Sequence, residues 1–238
     1  MSVAAALNDV RARIHAAAVA SGRELASVRL VAVSKTQPAD AVREAYAAGQ
    51  RDFGENYVQE LLQKAEELRD LSELRWHLIG HLQRNKARQV VSLVSLVHTV
   101  DTSDLAGELA KRFAAAMGNQ TAGESARRLE VLVEVSIAGE AQKHGVAPAQ
   151  LPELLESIEA LPALSRRGLM CVPPFTEDPA GAERFFAELG RLRELHGGAA
   201  RLPELSMGMT HDLEVAVSAG ATLVRVGTAI FGARPPKA

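Results

Sequence analysis

The hydrophobic and polar positions of this chain fall into two alternating rhythms. Val3, Leu7, Val10 and Ile14 recur at helical spacing, so residues 2–21 read as an amphipathic helix that ends at Ser21-Gly22. Short apolar stretches then alternate with helix-period segments. Strands are expected over 28–34, 51–54, 74–79, 93–100, 129–135, 164–172, 204–206 and 222–226. Helices are expected over 39–48, 56–68, 84–91, 148–160, 179–195 and 211–218. One more runs to about residue 116 from the caps of Asp101-Thr102-Ser103-Asp104. Residues 117–125 read as a polar, glycine-containing loop. The strand stretches are rich in Val and Leu, as expected of strands covered on both faces. No linker, low-complexity tract or composition break interrupts the pattern, so one domain over residues 1–238 is expected. Eight strand-then-helix units plus a leading helix fit an α/β fold, a closed (β/α)8 TIM barrel with an extra N-terminal helix. A doubly wound open sheet is the alternative, because closure is not written in a sequence.

Composition narrows the function classes. Hydrophobic residues make up 47%, enough for a sizeable core, and charged residues 24%. A formal net charge of -2 gives no general attraction to nucleic acid or to a membrane surface. No apolar run is long enough to span a bilayer. Cys171 is the sole cysteine, which excludes an internal disulfide and a cysteine-based zinc cluster and suits a reducing cytoplasm. Asp9, Arg11 and Arg13 interrupt the apolar core that a signal peptide needs, and Asp9 and Glu24 argue against an organellar transit peptide.

In a barrel of this type the active site lies at the C-terminal ends of the strands, so reactive residues just after strands matter most. Val31-Ala32-Val33-Ser34-Lys35-Thr36 is an apolar strand that ends on a lysine. Desolvation there lowers a lysine's pKa and makes its amine a nucleophile towards carbonyls; the alternative is a side chain snorkelling to solvent. Gly227-Thr228 follows the last strand, and Ser206-Met207-Gly208 the one before it. Backbone N–H groups with the Thr228 hydroxyl make an anion cup where phosphate sites recur in this fold, although capped turns also use Ser and Gly. Arg225 sits between valines of the last strand and needs an acceptor, either a structural carboxylate or a ligand nitrogen. Asn56, with Glu55, opens the helix after the second strand, where a capping role competes with ligand contact. His77 and His81 would not share a helix face, so a metal pair is a weak reading. His144 reads as solvated and Cys171 as an inert core thiol. A lysine nucleophile, a phosphate cup and a buried arginine together suit a ligand with an aldehyde, a phosphate and a ring nitrogen. Pyridoxal 5′-phosphate has all three.

The same stretches resemble the pyridoxal phosphate homeostasis proteins, the YggS-like or PROSC-like group. The likeness rests on residues 31–36, Phe53-Gly54-Glu55-Asn56-Tyr57-Val58-Gln59-Glu60, Trp76-His77-Leu78-Ile79-Gly80-His81-Leu82-Gln83, Asn85-Lys86 and His98-Thr99-Val100-Asp101. It continues through Gly168-Leu169-Met170, Leu205-Ser206-Met207-Gly208-Met209 and residues 224–232. The resemblance implies a barrel like the N-terminal domain of alanine racemase, without that enzyme's second domain. It implies a Schiff base between the cofactor and Lys35, phosphate contacts from Ser206, Gly227 and Thr228, Arg225 facing the pyridine nitrogen, and Asn56 near the ring. Thr210-His211 and Arg84 depart mildly from the commonest pattern.

An arginine stays protonated, so it donates to the pyridine nitrogen and keeps that nitrogen unprotonated. Such a ring is a weak electron sink. That favours a carrier over a fast racemase, and with the resemblance the expected function is vitamin B6 homeostasis, with cofactor buffered and supplied to pyridoxal phosphate-dependent apo-enzymes without strong catalysis; a monomer is expected. A pyridoxal phosphate-dependent amino-acid racemase is the alternative, and a cofactor-free Schiff-base lyase a third class.

Overall fold

Strand β1 (Arg29–Val33) pairs in parallel with the last strand, β8 (Leu223–Val226), and that pairing closes the sheet. Between them come β2 (Asp52–Glu55), β3 (Arg75–Leu78), β4 (Val94–Val100), β5 (Leu129–Glu134), β6 (Leu164–Met170) and β7 (Glu204–Ser206). Each pairs with its sequence neighbour, giving a closed eight-stranded parallel barrel in the order β1 to β8. The computed structural model describes residues 2–118, 127–139 and 144–233. Most of the loop read over residues 117–125 lies outside these.

The helices are α1 (Val3–Ala20), α2 (Ala39–Ala47), α3 (Val58–Glu67), α4 (Ala87–Val90), α5 (Ser103–Met117), α6 (Leu151–Glu159), α7 (Glu183–Leu195), α8 (Gly198–Arg201), α9 (Leu213–Ser218) and α10 (Thr228–Phe231). The extra N-terminal helix α1 is capped by the Ser2 hydroxyl, which accepts from the Ala5 amide. It buries Leu7, Val10, Ile14, Ala17 and Ala18 against the barrel's helical layer. Each fully buried leucine of such a stripe contributes about 1.5–3 kcal/mol. The Thr102 hydroxyl caps α5 as its sequence predicts, accepting from the Leu105 amide.

Three expected helices begin as 3-10 turns, over Arg84–Lys86, Pro148–Gln150 and Pro179–Ala182. The two prolines sit in first turns, where the missing N–H has no partner to lose. The helix expected over 211–218 starts only at Leu213, because the Asp212 carboxylate turns back to accept from the Met209 amide at 2.6 Å. The four-residue α8 is too short for its period to show in a sequence.

Side chains fill the barrel in two ways. Val31, Leu96, Leu132, Met170 and Leu223 form an apolar cluster apart from the large core shared by strands and helices. Alongside them, and equally buried, are Asp52, His77, His98, Ser206 and Arg225. No helix among the described residues is long and apolar enough to cross a membrane.

Candidate functional site

Register places the ends of β1 and β8 side by side, with Val31 opposite Arg225 and Ala32 opposite Val226. Lys35 and Gly227-Thr228 therefore leave the barrel on the same side of its mouth. A cavity of about 300 Å³ opens there, lined by Lys35, Asn56, Arg225, Gly227 and Thr228, with apolar walls from Val33, Ile79 and Val172. A second cavity of about 300 Å³ shares Asn56, Ile79 and Val172 and reaches towards Glu134, His81 and His144. Five of the six expected site residues thus meet at one place. A larger cavity of about 580 Å³ lies among Arg11, Gln50, Asp52 and Arg75, around the start of β2, and contains none of them.

The sixth residue, Ser206, lies behind that wall. It is fully buried; its hydroxyl accepts from Arg225 Nη1 at 2.5 Å and stands 2.8 Å from His98 Nδ1. Its side chain thus supports Arg225, where phosphate contact was expected.

Arg225 also donates to the Cys171 carbonyl at 2.9 Å, and among the described residues it forms no ion pair. The structural-carboxylate alternative is not what the fold builds. Burial lowers the guanidinium from its ordinary value, with Cys171, Glu134 and Asp212 opposing; an arginine keeps its proton nonetheless. Cys171 is buried, and its thiol is pushed up to about 12 by burial, consistent with an inert core residue.

Asn56 does not cap a helix. Helix α3 starts two residues later, after Tyr57. The Asn56 Oδ1 is buried without a hydrogen-bond partner among the described residues, and the residue lines both cavities. Gly80 lets this happen: a Cβ there would lie 2.3 Å from the Asn56 carbonyl oxygen.

The loop that carries Lys35 is held by a buried ion cluster. Lys64 Nζ donates to the Ser34 carbonyl and to Glu55 Oε1, both at 2.7 Å, and to Glu60 at 3.3 Å. The Ser34 hydroxyl donates to Glu55 Oε1 at 2.7 Å. Glu60 accepts from the Thr36 amide at 2.7 Å, and Thr36 adopts a φ of 63°, rare for a β-branched residue. Burial pushes the Glu55 carboxyl up, with Lys64 offsetting part of that. Lys64 was legible in principle, since it lies on the buried stripe of Val58, Leu61 and Leu68.

His77 and His81 take separate paths. His77 lies inside the barrel, 2.9 Å from Asp52 and 2.9 Å from His98. Burial works against ionisation of Asp52, but hydrogen bonds from Arg75 and His77 win and hold it well below the carboxylate range. His81 stacks on the exposed His144 ring at 3.6 Å, with 8° between planes. His81, His144 and Asp101 bring ligand atoms within 4.8 Å of one another. The rings are nearly parallel, however, so their in-plane lone pairs lie in two stacked planes rather than meeting at one point. Glu134, on the second cavity, is pushed up to about 7 by burial and the Asp101 charge.

The residues present fit pyridoxal 5′-phosphate. The cavity lies within the size range of small-molecule sites, and it offers an amine, a fixed cationic donor, a side-chain amide and the start of a helical turn.

Comparison with known proteins gives one answer. The family of the alanine racemase N-terminal domain matches residues 7–235. A pyridoxal phosphate homeostasis protein of Pseudomonas aeruginosa is 47% identical over 234 residues, 98% of this chain and 96% of that one. The structure of PipY of Synechococcus elongatus with pyridoxal phosphate bound matches at 38% identity and a TM-score of 0.76, covering 97% of this chain and 100% of that one. An alanine racemase of Corynebacterium glutamicum shares the fold alone, at 15% identity and a TM-score of 0.65, over 96% of this chain and 61% of its own.

Proposed function

The chain belongs to the alanine racemase N-terminal domain family and, within it, to the pyridoxal phosphate homeostasis proteins, and from that membership we propose that it binds pyridoxal 5′-phosphate at Lys35. Its role is cytoplasmic vitamin B6 homeostasis: as a monomer it buffers the cofactor and supplies apo-enzymes. The observation that carries this reading is the convergence of Lys35, Asn56, Arg225, Gly227 and Thr228 on one cavity of about 300 Å³.

Bound there, the cofactor supplies an aldehyde for reversible condensation with the Lys35 amine, with release of water. The chain's own residues do the rest. The Lys64 cluster holds the Ser34–Thr36 backbone and so sets where the Lys35 side chain starts. Gly227 and Thr228 offer backbone N–H groups and a hydroxyl to the phosphate, and charge-assisted hydrogen bonds are the strong ones. A Cβ at Gly227 would lie 3.0 Å from the Val33 carbonyl oxygen, so the turn is pressed against β1. Asn56, on the wall of the same cavity, would lie near the ring. Arg225, which also lines the cavity, would donate to the ring nitrogen and could not accept a proton from it.

That last point favours a carrier over a racemase, because an unprotonated pyridine draws electrons weakly from a substrate carbon. The test is transfer. Loaded protein is mixed with a defined apo-enzyme in the presence of a trap for free cofactor, and the apo-enzyme is expected to regain activity. Steady racemisation of an amino acid by the loaded protein would overturn the carrier reading, and absence of visible absorption from cofactor-treated protein would overturn cofactor binding itself.

A further inference from the structure

We propose that Asp52, His77, His98 and Ser206 form a one-way hydrogen-bond relay through the barrel interior that fixes Arg225 against the ring nitrogen of the cofactor. The inference rests on the cofactor reading above, and it makes these four positioning residues rather than ligands.

The chain of contacts is continuous. Asp52 Oδ1 lies 2.9 Å from His77 Nε2, His77 Nδ1 lies 2.9 Å from His98 Nε2, and His98 Nδ1 lies 2.8 Å from the Ser206 hydroxyl. Arg225 Nη1 donates to that hydroxyl at 2.5 Å. All five residues are buried, and the four strands that carry the relay together with β8 surround one interior space.

Its direction follows from which ends are fixed. The ionised Asp52 only accepts, so His77 Nε2 carries a proton. Arg225 only donates, so the Ser206 oxygen accepts from it. Burial, with His77 and Arg225 nearby, holds His98 well below the ordinary imidazole range, so His98 is neutral with one N–H. With that proton on Nε2, His98 donates to His77 Nδ1 and accepts the Ser206 proton at Nδ1. Every polar hydrogen along the path then has one acceptor. With the proton on Nδ1 instead, His98 would donate to an oxygen that already accepts from Arg225. The Ser206 proton would then lose His98 as its acceptor, and His77 would have to be a cation.

One arrangement thus aligns the bond dipoles from guanidinium to carboxylate across the barrel. It pins one face of Arg225 together with the Cys171 carbonyl and leaves the other N–H groups for the cavity. The other titratable groups that bear on Arg225 are Cys171, Glu134 and Asp212, while Arg29 bears on His98.

Imidazole nitrogen–proton correlation spectra of the cofactor-free protein should show His77 and His98 both neutral with the proton on Nε2. A proton on His98 Nδ1 would overturn the relay. In the loaded protein, Asp52→Asn alters the far end without touching the cavity wall, and Ser206→Ala removes a single oxygen beside Arg225. Both should weaken cofactor binding about tenfold and move the pH midpoint of its absorbance in the same direction as Arg225→Met. Arg51→Gln loses the Glu73 ion pair at the same end of the barrel but touches no side chain of the relay, and should stay within about twofold of wild type. If Asp52→Asn does not fold, Ser206→Ala and the spectra decide. Unchanged cofactor spectra in both relay variants, with a changed titration in Arg225→Met, would refute the relay and leave the cofactor reading intact. A wild-type protein that takes no cofactor on Lys35 would refute both.

Discussion

Replacing Lys64 by Met would remove the centre of the cluster beneath the Lys35 loop while keeping a long, flexible side chain. The Lys64 side chain is 6% exposed and that of Glu55 0%. The ammonium bonds Glu55 and the Ser34 carbonyl at 2.7 Å each, so the variant leaves a buried carboxylate with only the Ser34 hydroxyl. Breaking a buried pair by removing one partner costs about 3–5 kcal/mol, because the other charge stays behind. For a chain of this size that corresponds to a fall in Tm of about 10 °C. The cost should depend on pH. The Glu55 carboxyl is already raised by burial, and losing Lys64 raises it further. A carboxyl raised in the folded state gains stability from its proton fully below the unfolded value, and loses it as pH rises through the folded value. The destabilisation should therefore be small near pH 4.5 and complete at pH 8. Urea denaturation of the cofactor-free variant and wild type at the two pH values measures this. A loss below about 1 kcal/mol at pH 8, or an equal loss at both, would refute the argument that Lys64 compensates a buried anion. Cofactor affinity should fall in parallel, since the Ser34 carbonyl loses its anchor next to Lys35.

The remaining predictions follow the same logic. Glu134 is raised from 4.5 to about 7, so protonation stabilises the fold below 4.5 and that contribution is lost as pH rises through 7. Glu134→Gln should remove up to about 3 kcal/mol of the fall in stability between pH 5 and 8, as read by denaturation at each pH. Thr228→Ala should weaken cofactor binding about tenfold in a spectral titration without abolishing it, because backbone donors remain. Gly80→Ala places a methyl 2.3 Å from the Asn56 carbonyl oxygen. It should lower both Tm and cofactor affinity, and an affinity unchanged in a folded variant would mean Asn56 does not contribute.

Much of this molecule was legible because each unit carries its own signal. Val31, Ala32 and Val33 are apolar on both faces, since one face meets the barrel interior and the other the helices. The alternation of eight such stretches with helices then leaves few topologies, and the position of Lys35 after β1 follows directly. The polar interior was not legible in the same way. His77 and His98 are 21 residues apart, and His98 and Ser206 are 108 apart, so only the register of closed strands brings them together. Ser206 shows the limit well. Its place beside Gly208 suggested a phosphate ligand, but the side-chain alternation of β7 turns its hydroxyl inward to Arg225 and His98. Asn56 shows the opposite case. Its residue type suits a helix cap, yet α3 begins two residues on and leaves the residue on the wall of both cavities. Lys64 escaped notice because a lysine among apolar helix positions reads as a solvated side chain until its buried partners are known.

The central claim is that Lys35 is the cofactor's attachment point, and borohydride reduction of the cofactor-loaded protein followed by peptide mass analysis tests it most directly. The account predicts a stable pyridoxyl 5′-phosphate addition on the peptide containing Lys35 and its absence from Lys35→Ala. A label confined to another lysine, or equal labelling in Lys35→Ala, would contradict it.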